Sequence, residues 1–261
     1  MLETRDLTIR FGGHVAVDRV SCSFQAGTLT AIVGPNGAGK TTYFNLISGQ
    51  LPASEGRVLL GGEDITTLPA PLRTRRGLGR AFQLTQLFPN LTVQENVRLA
   101  VQARESGRGK GGAFGGLDIF RVWLDRDEWI AEARAILAQV RLADKGAVPA
   151  SALPHGDQRK LEVAMLIALD PLVFMFDEPT AGMSVDEVPV ILDLIRELKS
   201  RRERTILLVE HKMDVVRELA DRIIVLHNGA LVADGEPGDV IASPIVQQAY
   251  LGIAVDEAAP P

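Results

Sequence analysis

The sequence has one cysteine, Cys22, among 261 residues. That rules out an intrachain disulfide and any metal site made of cysteines alone, and it fits a reducing compartment. No window offers the roughly 20 largely uncharged apolar residues needed to cross a bilayer. The most apolar region, 163–176, is interrupted by Asp170-Pro171. Met1 to Asp6 has no apolar signal core. Any membrane association is therefore expected to come through partners. An excess of positive charge is also missing: Lys and Arg number 28 against 33 Asp and Glu, a net charge of −5. This argues against a sequence-independent nucleic-acid binder, which carries a basic surface. No internal repeat and no heptad pattern is visible, which argues against tandem copies of one unit and against a long coiled coil. With 46% apolar and 23% charged residues, the composition is that of an ordinary globular protein with ample material for a core, in one large domain or two modest lobes.

The most informative stretch present is Gly34-Pro35-Asn36-Gly37-Ala38-Gly39-Lys40-Thr41-Thr42. It fits G-x-x-x-x-G-K-[ST], a phosphate-binding loop. The apolar run 28–33 before it reads as a buried strand. Residues 43–49 after it read as a helix stopped by glycine. Strand, loop and helix in that order are the context the motif requires. Glycine at 34, 37 and 39 lets backbone N–H groups approach phosphate oxygens, and the helix N-terminus favours an anion. Lys40 is expected to reach the β- and γ-phosphates and Thr41 to ligate Mg²⁺.

Other elements follow from local pattern. Residues 7–11 and 15–24 read as strands around a Gly12-Gly13 turn, and 56–62 as a short strand running into a turn. The basic cluster Arg73 to Arg80 reads as a solvated helix end. Thr92 and Glu95 have capping-box spacing, so a helix is expected there. Six glycines between 107 and 116 read as a surface loop. Ile130, Ala133, Leu137 and Val140 recur at helical spacing, and Trp123 and Trp129 read as packing residues. Helices are expected over 161–169 and 188–198. Asn228-Gly229 between two apolar runs is a hairpin signal.

Two further buried strands end in polar residues. Leu172 to Phe176 leads into Asp177-Glu178, at the sheet edge where α/β folds bind ligands. Asp177 is a candidate Mg²⁺ holder and Glu178 a candidate general base. Thr205 to Val209 leads into Glu210-His211, where His211 could donate to the γ-phosphate. Leu153-Pro154-His155-Gly156-Asp157-Gln158 is a polar stretch entering a helix, on physics alone only a possible anion site.

Taken in order, Gly34 to Thr42, Gln83, Leu153 to Gln158, Asp177-Glu178 and His211 resemble the ATP-binding-cassette (ABC) ATPases over about residues 2–252. The resemblance implies an α/β P-loop fold. Its parts would be a RecA-like core, an antiparallel β subdomain and an α-helical subdomain at about 84–165, with 253–261 as a disordered tail. It implies ATP and Mg²⁺ as cofactors. Phe11 would stack on adenine; Asn36, Gly37, Gly39, Lys40, Thr41 and Thr42 would bind the nucleotide. Thr41, Gln83 and Asp177 would serve the metal, and Gln83, Glu178 and His211 the hydrolysis. Pro154, His155, Gly156 and Asp157 would contact ATP held by an opposite subunit, and Ala181 to Ser184 would cross the dimer axis. The partners implied are a second ATPase subunit, two transmembrane permease subunits and, indirectly, a periplasmic substrate-binding protein, with no nucleic acid. The implied place is the cytoplasmic face of the plasma membrane.

Within the family the resemblance is nearest to importers of branched-chain and other hydrophobic amino acids. It rests on Gly79 to Gln83 with Leu87-Phe88, His155 to Glu162, Glu178 to Ser184, and Ala249-Tyr250-Leu251-Gly252. Two departures stand out. Pro154 and His155 occupy positions where the family usually carries serine and glycine, and Ser184 stands where aspartate is frequent. An exporter ATPase, or a soluble ATPase of assembly or repair, is the alternative.

Overall fold

Gly12-Gly13 turns the chain back on itself, so Leu2–Phe11 (β1) pairs antiparallel with His14–Phe24 (β2), from Leu2 opposite Phe24 to Phe11 opposite His14. The computed structural model describes residues 1–81, 87–107, 127–244 and 246–247. After β2 come Leu29–Val33 (β3), Lys40–Ser48 (α1), Glu55–Leu60 (β4), Glu63–Asp64 (β5), Ala70–Arg75 (α2) and Leu78–Ala81 (β6). Val93–Gly107 (α3), Asp127–Gln139 (α4) and His155–Leu169 (α5) follow, then Val173–Asp177 (β7) and Val188–Ser200 (α6). The described chain continues with Thr205–Val209 (β8), Met213–Leu219 (α7), Arg222–His227 (β9), Ala230–Gly235 (β10) and Pro237–Ala242 (α8).

Two compact units share these elements. One comprises Met1–Arg73, Met175–Glu178 and Lys199–Pro261; the other comprises Thr74–Phe174 and Pro179–Leu198. The first unit holds an antiparallel sheet in the order β2-β1-β4-β5 and a second sheet that runs β10-β9-β3-β8-β7. In the second sheet β3 lies parallel to both β8 and β9, with Leu29 opposite Ile206 and Thr30 opposite Arg222. Every residue of β3, β7 and β8 is buried, as continuous apolar runs require when a strand is covered on both faces. The turn between β9 and β10 is Asn228-Gly229, both at positive φ (49° and 79°), the geometry a two-residue hairpin demands.

Helix α1 starts at Lys40, earlier than the sequence pattern places it, and stops at Gly49, whose N–H donates to the carbonyls of Asn45 and Leu46. Arg73 corrects the expectation of a solvated helix end. It is 2% exposed, and its guanidinium donates to the carbonyls of Leu46, Ile47, Thr66 and Leu68 at 2.6–2.8 Å. A buried charge costs several kcal/mol unless it is fully bonded. Four carbonyls, two of them at the negative end of α1, offset that cost. Thr74 to Arg76 are exposed as expected.

In the second unit α3 packs on α4 and α5, joining Val97, Val101, Ala133, Leu137, Leu161 and Ala164 in its core. Thr92 and Glu95 form the expected box: Glu95 Oε2 accepts the Thr92 N–H at 2.8 Å, and Thr92 Oγ1 accepts the Glu95 N–H at 3.2 Å. Arg104 locks the three helices, donating to both carboxylate oxygens of Glu132 and to the carbonyl of Ala168. Trp129 is packed at 9% exposure. Gly77 accepts the Val173 N–H at 2.9 Å, which sets β6 beside the start of β7. Gln83, Trp123, the Gly-rich stretch from 108 onward and the segment 248–261 lie outside the described residues.

Candidate functional site

The first unit carries a cleft of about 260 Å³ lined by His14, Ala16, Asn36 to Thr42, Glu178 and His211. Its floor is the turn between β3 and α1. Gly39 is the N-cap of α1 at φ 96° and offers no side chain to cover the helix end. A Cβ at Gly39 would lie 2.5 Å from the carbonyl oxygen of Ala16, so sterics and φ both demand glycine. The loop is buttressed from outside. Ala38 accepts the N–H of Gly229 at 3.0 Å, and Gly229 accepts that of Asp18 at 2.9 Å. The hairpin turn and β2 thus hold the loop in place, a role that the sequence pattern did not suggest.

Lys40 is 6% exposed. Its Nζ donates to the carbonyls of Gly34 at 2.7 Å and Pro35 at 2.9 Å. Burial holds its pKa below the usual lysine range, against the opposing pull of Glu178 and Asp177. The strand β7 delivers these two carboxylates, Asp177 buried and Glu178 at the cleft wall. Glu178 has φ 50°, a conformation uncommon for a residue with a Cβ. Its N–H donates to Val209 at 2.9 Å, which ties the turn after β7 to β8. Strain of this kind clusters at working sites.

Across the cleft, His211 Nε2–H donates to Glu178 Oε1 at 2.6 Å. The turn carrying His211 is fixed by Glu210, whose Oε2 accepts the N–H groups of His211 at 2.7 Å and Lys212 at 3.3 Å. Glu210 is 3% exposed. The structure therefore brings together Asn36, Gly37, Gly39, Lys40, Thr41, Thr42, Glu178 and His211, with Asp177 beneath. Phe11 is half exposed at the end of β1 and does not line the cleft. His14 and Ala16 do, and nothing in the sequence pattern pointed to them.

The oxygen donors here, the Thr41 hydroxyl with the Asp177 and Glu178 carboxylates, suit a hard cation such as Mg²⁺. Among the described residues no cluster of three or more His, Cys, Asp or Glu side chains could enclose a metal. That is compatible with Mg²⁺, which takes one or two carboxylates together with phosphate oxygens and water.

The remaining candidates lie in the second unit. Helix α5 begins at His155, six residues before the expected 161, with Pro154 as an N-cap that makes no side-chain hydrogen bond. Gly156 and Asp157 are buried in the first turn, while Pro154 and His155 are exposed. Ser184 is exposed in the loop before α6.

Comparison with known proteins agrees with this geometry. The family model described as ABC transporter matches residues 17–181. The chain is 36% identical over 254 residues to the high-affinity branched-chain amino acid transport ATP-binding protein BraF of Pseudomonas aeruginosa, covering 97% of this chain and 98% of that one. It is 37% identical over 257 residues to the corresponding LivG protein of Escherichia coli, with the same coverage. Among solved structures, a nucleotide-free ATP-binding cassette from an ABC transporter superposes with a TM-score of 0.80 at 30% identity, covering 97% of this chain and 99% of its own. The ADP conformation of an ATP-binding cassette superposes at 0.78 with 31% identity, again over 97% and 99%.

Proposed function

The chain belongs to the ABC transporter ATPase family, and from that premise we propose that it powers an importer of branched-chain or related hydrophobic amino acids. The substrate class comes from the relatives BraF and LivG, whose names state it. The observation that carries the hydrolytic role is the contact between His211 and Glu178 at the wall of the phosphate-loop cleft.

In this reading the backbone N–H groups of residues 36–42 and the N-terminus of α1 cradle the phosphates of ATP. Lys40 exchanges the carbonyls of Gly34 and Pro35 for β- and γ-phosphate oxygens. Glu178 takes the proton of the attacking water as general base, at a position its strained backbone and the bond to His211 define. His211 would share its ring N–H between Glu178 and the γ-phosphate. Thr41, Asp177 and Gln83 would hold Mg²⁺, which spreads the charge of the phosphates. Phe11, exposed at the end of β1, would stack on the adenine.

Pro154, His155, Gly156 and Asp157 would face the ATP of a second ATPase subunit, with Ala181 to Ser184 at the dimer axis. Two permease subunits and a periplasmic binding protein would complete the machine at the inner face of the membrane. Among the described residues no helix is long and apolar enough to cross a membrane, so attachment through the permease subunits fits. The test is co-purification from detergent-solubilised membranes, followed by reconstitution into vesicles. ATP hydrolysis stimulated by leucine, isoleucine or valine with the binding protein is the expected result. A preparation in which no polytopic membrane protein accompanies the chain overturns the transport role.

A further inference from the structure

In the second unit a run of ionic hydrogen bonds joins three separate segments. Asp157 Oδ1 accepts from Lys160 Nζ at 2.9 Å, and its Oδ2 accepts from Lys145 Nζ. Lys160 Nζ also donates to Glu187 Oε1 at 2.7 Å. Glu187 Oε2 accepts the hydroxyl of Ser184 at 3.0 Å and its N–H at 3.3 Å. The same oxygen lies 2.3 Å from where a Cβ on Gly156 would sit. Glu187 therefore touches the first turn of α5 and the loop before α6 at once.

This is more than a surface ion pair, which would contribute little. The Lys160 and Asp157 side chains are only 9% and 6% exposed. A buried ammonium serving two carboxylates, with a second lysine on one of them, fixes geometry because each removal strands a charge. Burial lowers the pKa of Lys160, but Glu187 and Asp157 raise it further, so it stays above the usual lysine value. Lys160 in turn holds Glu187 below the usual carboxylate value.

The network also bears on two of the residues that depart from the family pattern, Pro154 and Ser184. Pro154 gives α5 no side-chain cap, and the first turn is held from the side instead, by Glu187 against Gly156. At Ser184 an aspartate would set a second carboxylate against Glu187, whereas the serine hydroxyl donates to it.

We propose that Lys160 and Glu187 are positioning residues that lock the segment Leu153 to Gln158 to the loop Ala181 to Ser184, so that both meet a partner subunit as one rigid piece. The proposal rests on the reading of Leu153 to Gln158 as the face that meets the partner's ATP. Neither residue touches nucleotide in this scheme. Their loss is felt in turnover and not in the nucleotide binding of this subunit's own phosphate loop.

The test compares Lys160→Met, Lys160→Arg and Glu187→Gln in the assembled transporter. For Lys160→Met and Glu187→Gln, kcat for ATP should fall roughly tenfold, equivalent to about 1.4 kcal/mol. Equilibrium ATP binding to the purified chain should stay within about twofold. Lys160→Arg keeps the charge and both acceptors in reach, and should restore kcat to within about threefold. A kcat within twofold of wild type for both Lys160→Met and Glu187→Gln overturns the proposal. If Lys160→Met does not fold, Glu187→Gln, which keeps the shape of the side chain, decides by the same threshold. Glu178→Gln in parallel separates the two levels. If it is inactive while the lock variants behave as wild type, only the lock is wrong. If it turns over normally, the hydrolytic reading falls, and the lock with it.

Discussion

Around Lys40 the walls are backbone; around Lys160 they are side chains. The phosphate loop is shaped by Gly39 at positive φ, by the carbonyls of Gly34, Pro35 and Ala16, and by peptide bonds from Gly229. The start of α5 is shaped by Lys145, Asp157, Lys160 and Glu187. Backbone walls depend on which positions lack a side chain, so they are written in a contiguous stretch and tolerate little. Side-chain walls depend on charges brought together from positions up to 42 residues apart, 145 to 187. They can yield, at the cost of the positions they hold.

Paired glycine substitutions break this contrast most directly. In Gly39→Ala the new methyl meets the Ala16 carbonyl at 2.5 Å with φ at 96°. Peptide backbone cannot give way, and the conformation itself costs roughly 1–2 kcal/mol. ATP affinity by equilibrium binding should fall more than about tenfold. In Gly156→Ala the methyl meets the Glu187 carboxylate at 2.3 Å, which can swing away. ATP binding should then be retained and kcat reduced several-fold, the signature of Glu187→Gln. Equal losses of affinity in the two variants would erase the distinction.

Arg73 sharpens the comparison from the other end of α1, where a side chain closes what backbone leaves open. Arg73→Met strands the carbonyls of Leu46, Ile47, Thr66 and Leu68. We expect a loss of about 2–3 kcal/mol in chemical denaturation. An unchanged midpoint would mean that water satisfies those carbonyls as well as the guanidinium does.

The smallest effect expected is on pH. Lys160 depresses Glu187. Asp157 is also depressed, because the two lysines outweigh a burial that pushes it up. Folding stability from these carboxylates is present above their ordinary values, 4.5 and 3.8, and is lost as pH falls through their lower folded-state values. For Lys160, raised above 10.5, the contribution is lost only as pH rises through its folded value. The melting temperature should therefore be insensitive to this network between about pH 5 and 9. Glu187→Gln should flatten the acid limb and leave the neutral plateau parallel to wild type.

Much of the first region was legible in the sequence because its signals are local. The loop motif, the strand before it, the Asn228-Gly229 turn and the Thr92–Glu95 box each depend on residues within a few positions of one another. The second region was not. Residues 153–160 carry no apolar period, and Pro154 masks the helix start at His155, so α5 was expected from 161. Arg73 read as solvated because a charge among charges gives no sign of four carbonyls waiting for it. His14 and Ala16 enter the cleft through strand pairing, and Glu187 meets Lys160 through tertiary folding alone. The Ser184 departure has a reason only in the tertiary structure, where its hydroxyl donates to Glu187, a residue that also packs on Gly156 in the first turn of α5.

The central claim is that Glu178, braced by His211, activates the water that attacks ATP held by the loop at Lys40. Its most direct test measures binding and hydrolysis on one preparation of the Glu178→Gln transporter. The expected result is ATP affinity within about twofold of wild type, with phosphate release reduced by at least about 10²-fold, the contribution of a lost general base. Phosphate release near the wild-type rate would contradict the claim and return the base to some other group in the cleft.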